Sequence, residues 1–305
     1  MNQSSSLTSI MSFPDRGPWG KSSWRGNASG HVFKALFEQL KPKVFIDPMV
    51  GSGTSVDVAR EMAIEAYGLD LHSGFNALRD SILQRVGKQA DLCFSHPPYG
   101  GMIKYSGPGG QWGDVAHPDD LSHCESDEDF HCKMQAVLLN QRAATKSGGH
   151  YGTLIGDWRR KGIYTSYMAE MLSRMPSDEL AAVLIKTQHN CVSDSRTYSK
   201  MTYPMIQHEY ILLWKKKARP VLVLLADMVS EQSRRVQGTW KNIVKAVLQG
   251  LGGKATLEKI YAAVSNAAPE RLETNQFWKE KVRQTLNQNA SVFQQLDRGL
   301  WAVAA

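Results

Sequence analysis

The feature that most constrains this chain is a glycine-rich turn between two apolar strands. The sequence here is VFIDPMVGSGTSVDVAR, which predicts a strand ending at Asp47, a turn through Gly51 and Gly53, and a helix that begins at Thr54. Glycines in such a turn let the backbone approach a ligand closely, and the helix amino terminus offers free N–H groups. A second apolar strand ends in Asp70, where an acid can bind both hydroxyls of a ribose.

The wider pattern predicts an α/β fold. Short apolar strands are expected at 44–46, 66–69, 92–94, 152–155, 181–185 and 209–214. Helices are expected between them, at 32–40, 54–62, 133–144 and 164–175. Continuously apolar strands that alternate with helices indicate a parallel sheet covered on both faces. The dinucleotide-binding version of this fold is a weaker match, because Val56 occupies the place of the third glycine in GxGxxG.

Composition excludes several other classes of protein. Of the 305 residues, 42% are hydrophobic and 21% are charged, which argues against a disordered or collagen-like chain. No apolar run approaches the roughly 20 residues of a membrane helix. The Ser-rich start lacks the pattern of a secretory signal, and four cysteines make no disulfide framework, so we expect a cytoplasmic protein that does not enter a membrane. The net charge of +7 is a mild indication of a polyanionic partner.

The chain divides into four predicted parts. Residues 1–15 are expected to form a flexible tail, 16–217 the α/β domain and 218–237 a connecting helix or linker. Residues 238–305 predict three helices and a terminal hairpin, which is the α+β pattern of a winged helix. Its expected core residues are Leu257, Ile260, Val282, Leu286, Phe293 and Trp301.

A proline-rich turn, SHPPYG, follows the third strand from Ser95 onward. Together with the segment from Asp47 to Thr54, it resembles the motifs of S-adenosylmethionine-dependent DNA amino-methyltransferases of the DPPY type. In that family an Asp, Asn or Ser is followed by two prolines and an aromatic residue. The resemblance covers about residues 16–217 and implies a Rossmann-like methyltransferase sheet.

The resemblance implies that the glycine-rich turn binds S-adenosylmethionine. Asp47 and the turn from Gly51 to Gly53 would hold the methionine part, and Asp70 the ribose. Asp80 could contact the adenine, although a solvated helix acid is an equal alternative. The implied cofactor-binding residues are Asp47, Pro48, Gly51, Gly53, Thr54, Asp70, Asp80, Ser95 and, from the segment before the first helix, Asn27.

The same resemblance assigns catalysis to His96, Pro97, Pro98 and Tyr99. The lone pair of an exocyclic amine is delocalised into the base, so acceptors that bind both amine hydrogens localise it toward the methyl donor. The prolines stiffen the turn and leave a main-chain carbonyl aimed at the amine, because they carry no N–H. The aromatic ring of Tyr99 would stack on a base flipped out of its strand.

His96 is the departure from the family pattern. A neutral imidazole still accepts one hydrogen bond, so activity is expected, but the identity of the base is less constrained. We expect methylation of DNA at adenine N6. Cytosine N4, a decayed relative that only binds DNA, and an RNA amino-methyltransferase stay open as alternatives, as do the recognition sequence and the strandedness of the DNA.

Histidines and cysteines cluster in an acidic segment, with His117, His123, Cys124, His131 and Cys132 lying within 16 residues. Their spacing matches no common structural zinc site, so no metal is expected. The segment 107–130 is instead expected to be an exposed, flexible loop or lid.

Basic residues in two regions are candidates for phosphate contacts. Residues 159–161 follow a strand on the ligand side of the sheet, where a solvated turn is an equal alternative. The C-terminal region resembles the HARE-type winged helix at 251–261, 282–286 and 299–302, which implies DNA contacts from its third helix and hairpin tip, with protein binding as the alternative. The candidate DNA-binding residues are Arg159, Arg160, Lys161, Lys279, Lys281, Arg283 and Arg298.

Overall fold

The predicted alternation of strands and helices is present in the computed structural model, which describes residues 8–99, 101–189, 202–267 and 276–304. The chain divides into two units, Met1–Arg219 and Pro220–Ala305. The first unit is a mixed α/β structure with a seven-stranded sheet, so the predicted fold class is confirmed.

The large sheet holds six of the predicted strands and one that was not predicted. Its strands are β1 (Ile10–Met11), β2 (Val44–Asp47), β3 (Glu65–Gly68), β4 (Ala90–Ser95), β5 (Thr145–Ile155), β8 (Leu180–Thr187) and β9 (His208–Lys215). They lie in the order β1-β8-β9-β5-β4-β2-β3, and β9 runs antiparallel to both of its neighbours. A separate hairpin consists of β6 (Trp158–Arg160) and β7 (Ile163–Thr165).

Helices cover both faces of this sheet. They are α1 (Gly30–Leu40), α2 (Thr54–Glu61), α3 (Ile82–Val86), α4 (Asp127–Ala144) and α5 (Tyr167–Arg174). Strand β4 contributes side chains to a hydrophobic core on each face of the sheet. Leu92 and Phe94 pack on the side of α1 and α2, and Cys93 packs on the side of α4 and α5. Burying a side chain such as Phe94 contributes about 1.5–3 kcal/mol, so both faces stabilise the sheet.

Strand β2 marks the topological switch point of the sheet. The chain leaves β2 for β3 on one side and then returns to β4 on the other, and all three strands are parallel. In open α/β sheets, ligands bind in the crevice that such a reversal opens at the carboxyl ends of the strands. The residues after Asp47, Gly68 and Ser95 lie at this edge.

Two predictions for the first unit are wrong. The expected flexible tail contains β1, which pairs in parallel with β8, and Met11 is 2% exposed. The expected loop at 107–130 is partly ordered, because Ser126 caps the amino terminus of α4 and Phe130 is buried. The capping hydroxyl and the acids of the first turn suit a helix start, which explains why α4 begins before the predicted residue 133.

The second unit has three helices and a small antiparallel sheet. Its elements are α6 (Val221–Gly250), β10 (Lys254–Thr256), α7 (Leu257–Ala267), α8 (Trp278–Gln288), β11 (Phe293–Asp297) and β12 (Leu300–Val303), with sheet order β10-β12-β11. Five of the six predicted core residues belong to its hydrophobic cluster, and the sixth, Leu257, packs against it. The predicted boundary after residue 237 is wrong, because α6 continues without interruption through that position. Within the described part of the chain, no helix is long and apolar enough to cross a membrane.

Candidate active site

A cleft opens at the switch point of the large sheet, and its lining combines both sequence motifs. It encloses about 810 Å³ of empty space, including its open mouth. Of the predicted cofactor and catalytic residues, those that line it are Asn27, Asp47, Pro48, Gly51, Thr54, Asp70, His96 and Pro98.

The glycine-rich turn brings its backbone close to the cleft. Gly51 and Gly53 have φ angles of 50° and 93°, in the left-handed region that favours glycine. The N–H of Gly51 donates to Asp70 Oδ2 at 2.8 Å, which ties the turn to the end of the second motif strand. Ser52 Oγ donates to Asn27 Oδ1 at 2.5 Å, so the segment before α1 contacts this turn.

Asp47 is a buried carboxyl at the base of the cleft. It accepts hydrogen bonds from the N–H of Met49 at 2.9 Å and from Ser55 Oγ at 2.6 Å. Burial raises its pKa to about 7, against the lowering effect of these bonds, and the negative charge of Asp70 raises it further. The ionised form of Asp47 is therefore disfavoured here, and a positively charged ligand in the cleft would stabilise it.

Asp70 lies across the turn from Asp47 and is engaged through both oxygens. Besides Gly51, it accepts from the backbone N–H of His72 at 3.2 Å and lies 2.6 Å from His72 Nδ1. The hydrogen bond with Asp70 raises the pKa of His72, although partial burial opposes this. Asp70 is 6% exposed and lines the cleft.

Aromatic residues that the sequence reasoning missed form one wall of the cleft mouth. The ring of Trp24 lies 5.5 Å from that of His72 and 6.4 Å from that of Tyr105, measured between centroids. Trp112 completes the wall, 5.7 Å from Tyr105. A Cβ added to Gly51 would stand 3.1 Å from Trp24 Nε1, so the glycine permits this close packing. Trp24, Tyr105 and Trp112 line the cleft, and His72 stands beside Trp24.

The proline-rich turn continues from β4 directly into the cleft. His96 and Pro98 line the cleft, whereas Pro97 is buried and the half-buried Tyr99 does not line it. Ser95 is fully buried, and its Oγ finds no hydrogen-bond partner within the described ranges. Residue 100, the last of the motif, lies outside the described residues.

Tyr99 and His96 share a buried carboxylate, Glu209, which the sequence reasoning did not identify. The hydroxyl of Tyr99 donates to Glu209 Oε1, and His96 Nε2 lies 3.8 Å from the same oxygen. Lys186 Nζ donates to Glu209 Oε2 at 2.5 Å. Burial alone would raise the pKa of Glu209, but Lys186, His96 and Tyr99 outweigh it and lower this pKa to about 2. Glu209 is therefore ionised beside the proline-rich turn.

Some predicted site residues lie elsewhere. Asp80 is exposed, precedes α3 and does not line the cleft, and its carboxylate accepts from the N–H of Asn76 at 2.8 Å. Gly53 caps α2 rather than lining the cleft. The segment before Asp80 does line the cleft, through Phe75, Asn76, Ala77 and Leu78.

The predicted phosphate contacts in the first unit lie on the β6–β7 hairpin. The guanidinium of Arg159 stands 5.4 Å from the ring centre of Tyr164 and 5.3 Å from that of Tyr203. Arg160 stands 4.8 Å from the ring centre of Trp158. Lys161 is exposed at the tip. The expected turn is thus a hairpin with cations stacked on aromatic rings.

In the second unit the candidate DNA-binding residues are exposed or half-buried. Lys279 stands 5.6 Å from the ring centre of Trp278, and Arg283 pairs with Glu280 at 2.8 Å. Lys281 donates to Gln284 Oε1 at 3.0 Å. Arg298 lies in the turn between β11 and β12, as predicted.

The histidines and cysteines of the acidic segment are held in separate contacts. His123 Nε2 lies 2.6 Å from the carbonyl oxygen of Ser106, and His117 Nδ1 accepts from the N–H of Asp119. His131 packs edge-on against Tyr167, 5.2 Å away. Among the described residues no group of three potential ligands is placed to hold a metal ion.

Comparison with known proteins gives solved structures only. No protein-family model and no curated protein matches the chain. TrmN from Thermus thermophilus is 16% identical over 63% of this chain and 50% of that chain, with a TM-score of 0.40. TTHA0409 from the same organism, a proposed DNA modification methylase, is 15% identical over 58% and 53%, with a TM-score of 0.30.

A third similar structure is the 16S rRNA N2 G1207 methyltransferase RsmC of T. thermophilus in complex with AdoMet and guanosine. It is 14% identical over 65% of this chain and 45% of that chain, with a TM-score of 0.33. The chain spans about half the length of each of these three proteins. At this level of likeness the function has to be inferred from the residues of the cleft.

Proposed function

We propose that this protein transfers a methyl group from S-adenosylmethionine to an exocyclic amine in DNA, with adenine N6 as the target. One observation carries the proposal. A single cleft is lined both by Asp47 and Asp70 of the glycine-rich motif and by His96 and Pro98 of the proline-rich turn. A donor held by the first pair would lie beside an amine held at the second.

The cleft residues fit S-adenosylmethionine by their chemistry. The cofactor carries positive charge on its sulfonium and amino groups, and Asp47 is a buried carboxyl whose ionised form a cation would stabilise. Asp70 offers a carboxylate for the ribose hydroxyls. Phe75, Leu78 and Leu121 give the cleft an apolar wall that suits an adenine ring.

When bound, S-adenosylmethionine supplies an electrophilic methyl group, and the residues of the turn prepare the amine. Burial lowers the pKa of His96, so its imidazole is neutral at pH 7 and can accept a hydrogen bond. The two prolines carry no backbone N–H, so no donor of their own competes with the amine for a carbonyl oxygen of the turn. Glu209 fixes the hydroxyl of Tyr99, which supports a role for this ring as a platform for the flipped base.

The nucleic acid would contact the hairpin and the second unit. Aromatic rings next to arginines, as around Arg159 and Arg160, are features of surfaces that bind nucleic acid by stacking and charge. The helix and strand order of the second unit supports a winged-helix role, in which Lys279, Lys281 and Arg283 contact phosphates and Arg298 contacts them from the hairpin tip.

Cofactor binding is the first test. Titration calorimetry of the full chain should show S-adenosylmethionine binding, and Asp70→Asn should weaken it at least tenfold. Asp80→Asn is the matched control, because it removes an exposed carboxylate outside the cleft and leaves an acceptor for the N–H of Asn76. Well-folded wild-type protein that does not bind the cofactor would contradict the proposal.

Methyl transfer is the second test. Labelled S-adenosylmethionine is offered with mixed DNA or RNA, and the products are digested to nucleosides and identified by mass spectrometry. We expect N6-methyladenine in DNA. N4-methylcytosine would reassign the base, methylated RNA would reassign the substrate, and cofactor binding with DNA binding but no transfer would indicate a decayed enzyme.

A further inference from the structure

A buried cluster of charged side chains stands behind the proline-rich turn. Glu209 is 5% exposed, and its two oxygens serve different partners. Lys186 binds Oε2, while the hydroxyl of Tyr99 binds Oε1 and His96 Nε2 lies 3.8 Å from it. Glu209 therefore contacts or approaches both the first and the last residue of the His96–Tyr99 turn.

The sheet places the Glu209 carboxylate at the edge where the parallel strands end and the cleft opens. Strand β9 is antiparallel to β5, with Tyr210 opposite Ile155, so β9 begins where β5 ends. Lys186 is the cross-strand partner of Glu209 in β8. A buried ion pair of this kind adds little net stability compared with apolar residues of the same volume, so fold stability alone does not account for it.

The charges of the cluster favour one form of His96. Burial lowers the pKa of His96 below its ordinary 6.5, and Lys186 lowers it further, while Glu209 acts in the opposite direction. A neutral imidazole beside a carboxylate carries its proton on the nitrogen that faces the carboxylate. That nitrogen is Nε2, so the lone pair is on Nδ1. At 3.8 Å, Nε2 and Glu209 Oε1 are beyond hydrogen-bond distance, so Glu209 acts on this nitrogen through its charge.

We propose that Glu209 is a positioning residue that fixes His96 as the Nε2–H tautomer and makes Nδ1 the acceptor for the target amine. The inference rests on the proposed methyl transfer. In that step the lone pair of the amine nitrogen forms the new N–C bond, while the C–S bond breaks and its electron pair goes to sulfur. The proton that the amine must lose passes to His96 Nδ1, and the charge of Glu209 stabilises the imidazolium that forms.

Two substitutions should move the pH dependence in opposite directions. Transfer should fall at low pH as His96 becomes protonated. In Glu209→Gln the remaining influence of Lys186 lowers the pKa of His96 further, so this acidic limb moves to lower pH and kcat falls at least about tenfold. In Lys186→Met the limb moves to higher pH, because Glu209 then acts without the opposing cation. The affinity for S-adenosylmethionine should stay within about twofold in both variants, since neither residue lines the cleft.

Nuclear magnetic resonance gives a readout that does not need activity. Nitrogen-15 spectra of the imidazoles, with His96→Gln to identify the resonance, should show the Nε2–H tautomer in the wild type and a mixture of tautomers in Glu209→Gln. A wild type that transfers no methyl group would refute the proposed function, yet these spectra would still report on Glu209. Two results with an active wild type would overturn the inference. In the first, Glu209→Gln keeps the wild-type tautomer of His96 and neither variant shifts the acidic limb of the pH profile. In the second, both variants shift this limb in the same direction.

Discussion

Replacing Asp47 with Asn should make the cofactor-free protein more stable at neutral pH while it removes cofactor binding. The buried carboxyl has a pKa of about 7 instead of its ordinary 3.8. The folded state therefore holds its proton to a higher pH than the unfolded chain does. The contribution of Asp47 to the stability of the folded state is therefore largest below pH 3.8, and it is lost as the pH rises to 7. Asn is neutral throughout, and its amide can keep the contacts with the N–H of Met49 and with Ser55 Oγ.

The magnitude follows from the difference between the two pKa values. Each pH unit between about 3.8 and 7 lowers the unfolding free energy by about 1.4 kcal/mol, which amounts to about 4 kcal/mol above pH 7. Between pH 5.5 and pH 8 the change is about 2 kcal/mol. The stability of Asp47→Asn relative to the wild type should therefore increase by this amount over that interval.

Hydrogen exchange of the β2 amides at pH 5.5 and pH 8 measures the opening free energy of the first unit without assuming that both units unfold together. Asp80→Asn is the matched control for the same chemical change, because Asp80 is exposed and lies outside the cleft. Calorimetry on the same preparations should show that only Asp47→Asn loses the cofactor. A wild type that is more stable than Asp47→Asn at pH 8, or a difference that does not change with pH, would refute this account of the buried carboxyl.

Three further outcomes are expected. The affinity for S-adenosylmethionine should rise with pH up to about tenfold per unit until pH 7, because a cation binds the ionised form of Asp47, and calorimetry at pH 6, 7 and 8 checks this. Gly156→Ala should reduce methyl transfer but not cofactor affinity, because the new Cβ would stand 2.8 Å from the hydroxyl oxygen of Tyr99. Alanine at all three positions from Arg159 to Lys161 should reduce the salt slope of DNA binding, measured by anisotropy, by about one unit for each phosphate that is no longer neutralised.

The parts of the site that are local in sequence could be predicted from it. The motif at Asp47 is one short segment that contains a strand, two glycines and the start of a helix, and it therefore predicts the turn. The next strand is parallel to the first and brings Asp70 to the same edge. The proline-rich turn is likewise contiguous, and parallel strands bring its start to the cleft. For these residues the strand direction alone decides which edge they share.

Residues that reach the site from distant segments could not be predicted in this way. Glu209 and Lys186 meet His96 only because β9 reverses direction beside β5, and the sequence shows merely an acid at the start of an apolar strand. Trp24 and Trp112 come from two loops whose mutual position no periodicity encodes. Strand β1 is very short and pairs with a strand far away along the chain, Ile10 opposite Ile185, which a local pattern cannot reveal.

The role of the second unit can be tested by truncation, and the structure decides where the cut must fall. The sequence predicted a connecting helix or linker up to residue 237, but α6 runs from Val221 to Gly250, and its buried Val244 and Leu248 belong to the core of the second unit. A cut within this helix would destroy it, so the chain should end at Arg219, which also preserves the ion pair of Arg219 with Asp178.

Residues 1–219 should bind S-adenosylmethionine as the full chain does, which is the control for folding. Their DNA affinity should fall, most clearly at moderate salt, and the salt slope should decrease by up to about four units if Lys279, Lys281, Arg283 and Arg298 each contact a phosphate. Sequence preference should change little, because phosphate contacts carry no base information. A truncated chain that binds DNA as tightly as the full chain at every salt concentration would assign the second unit to the recruitment of a protein instead.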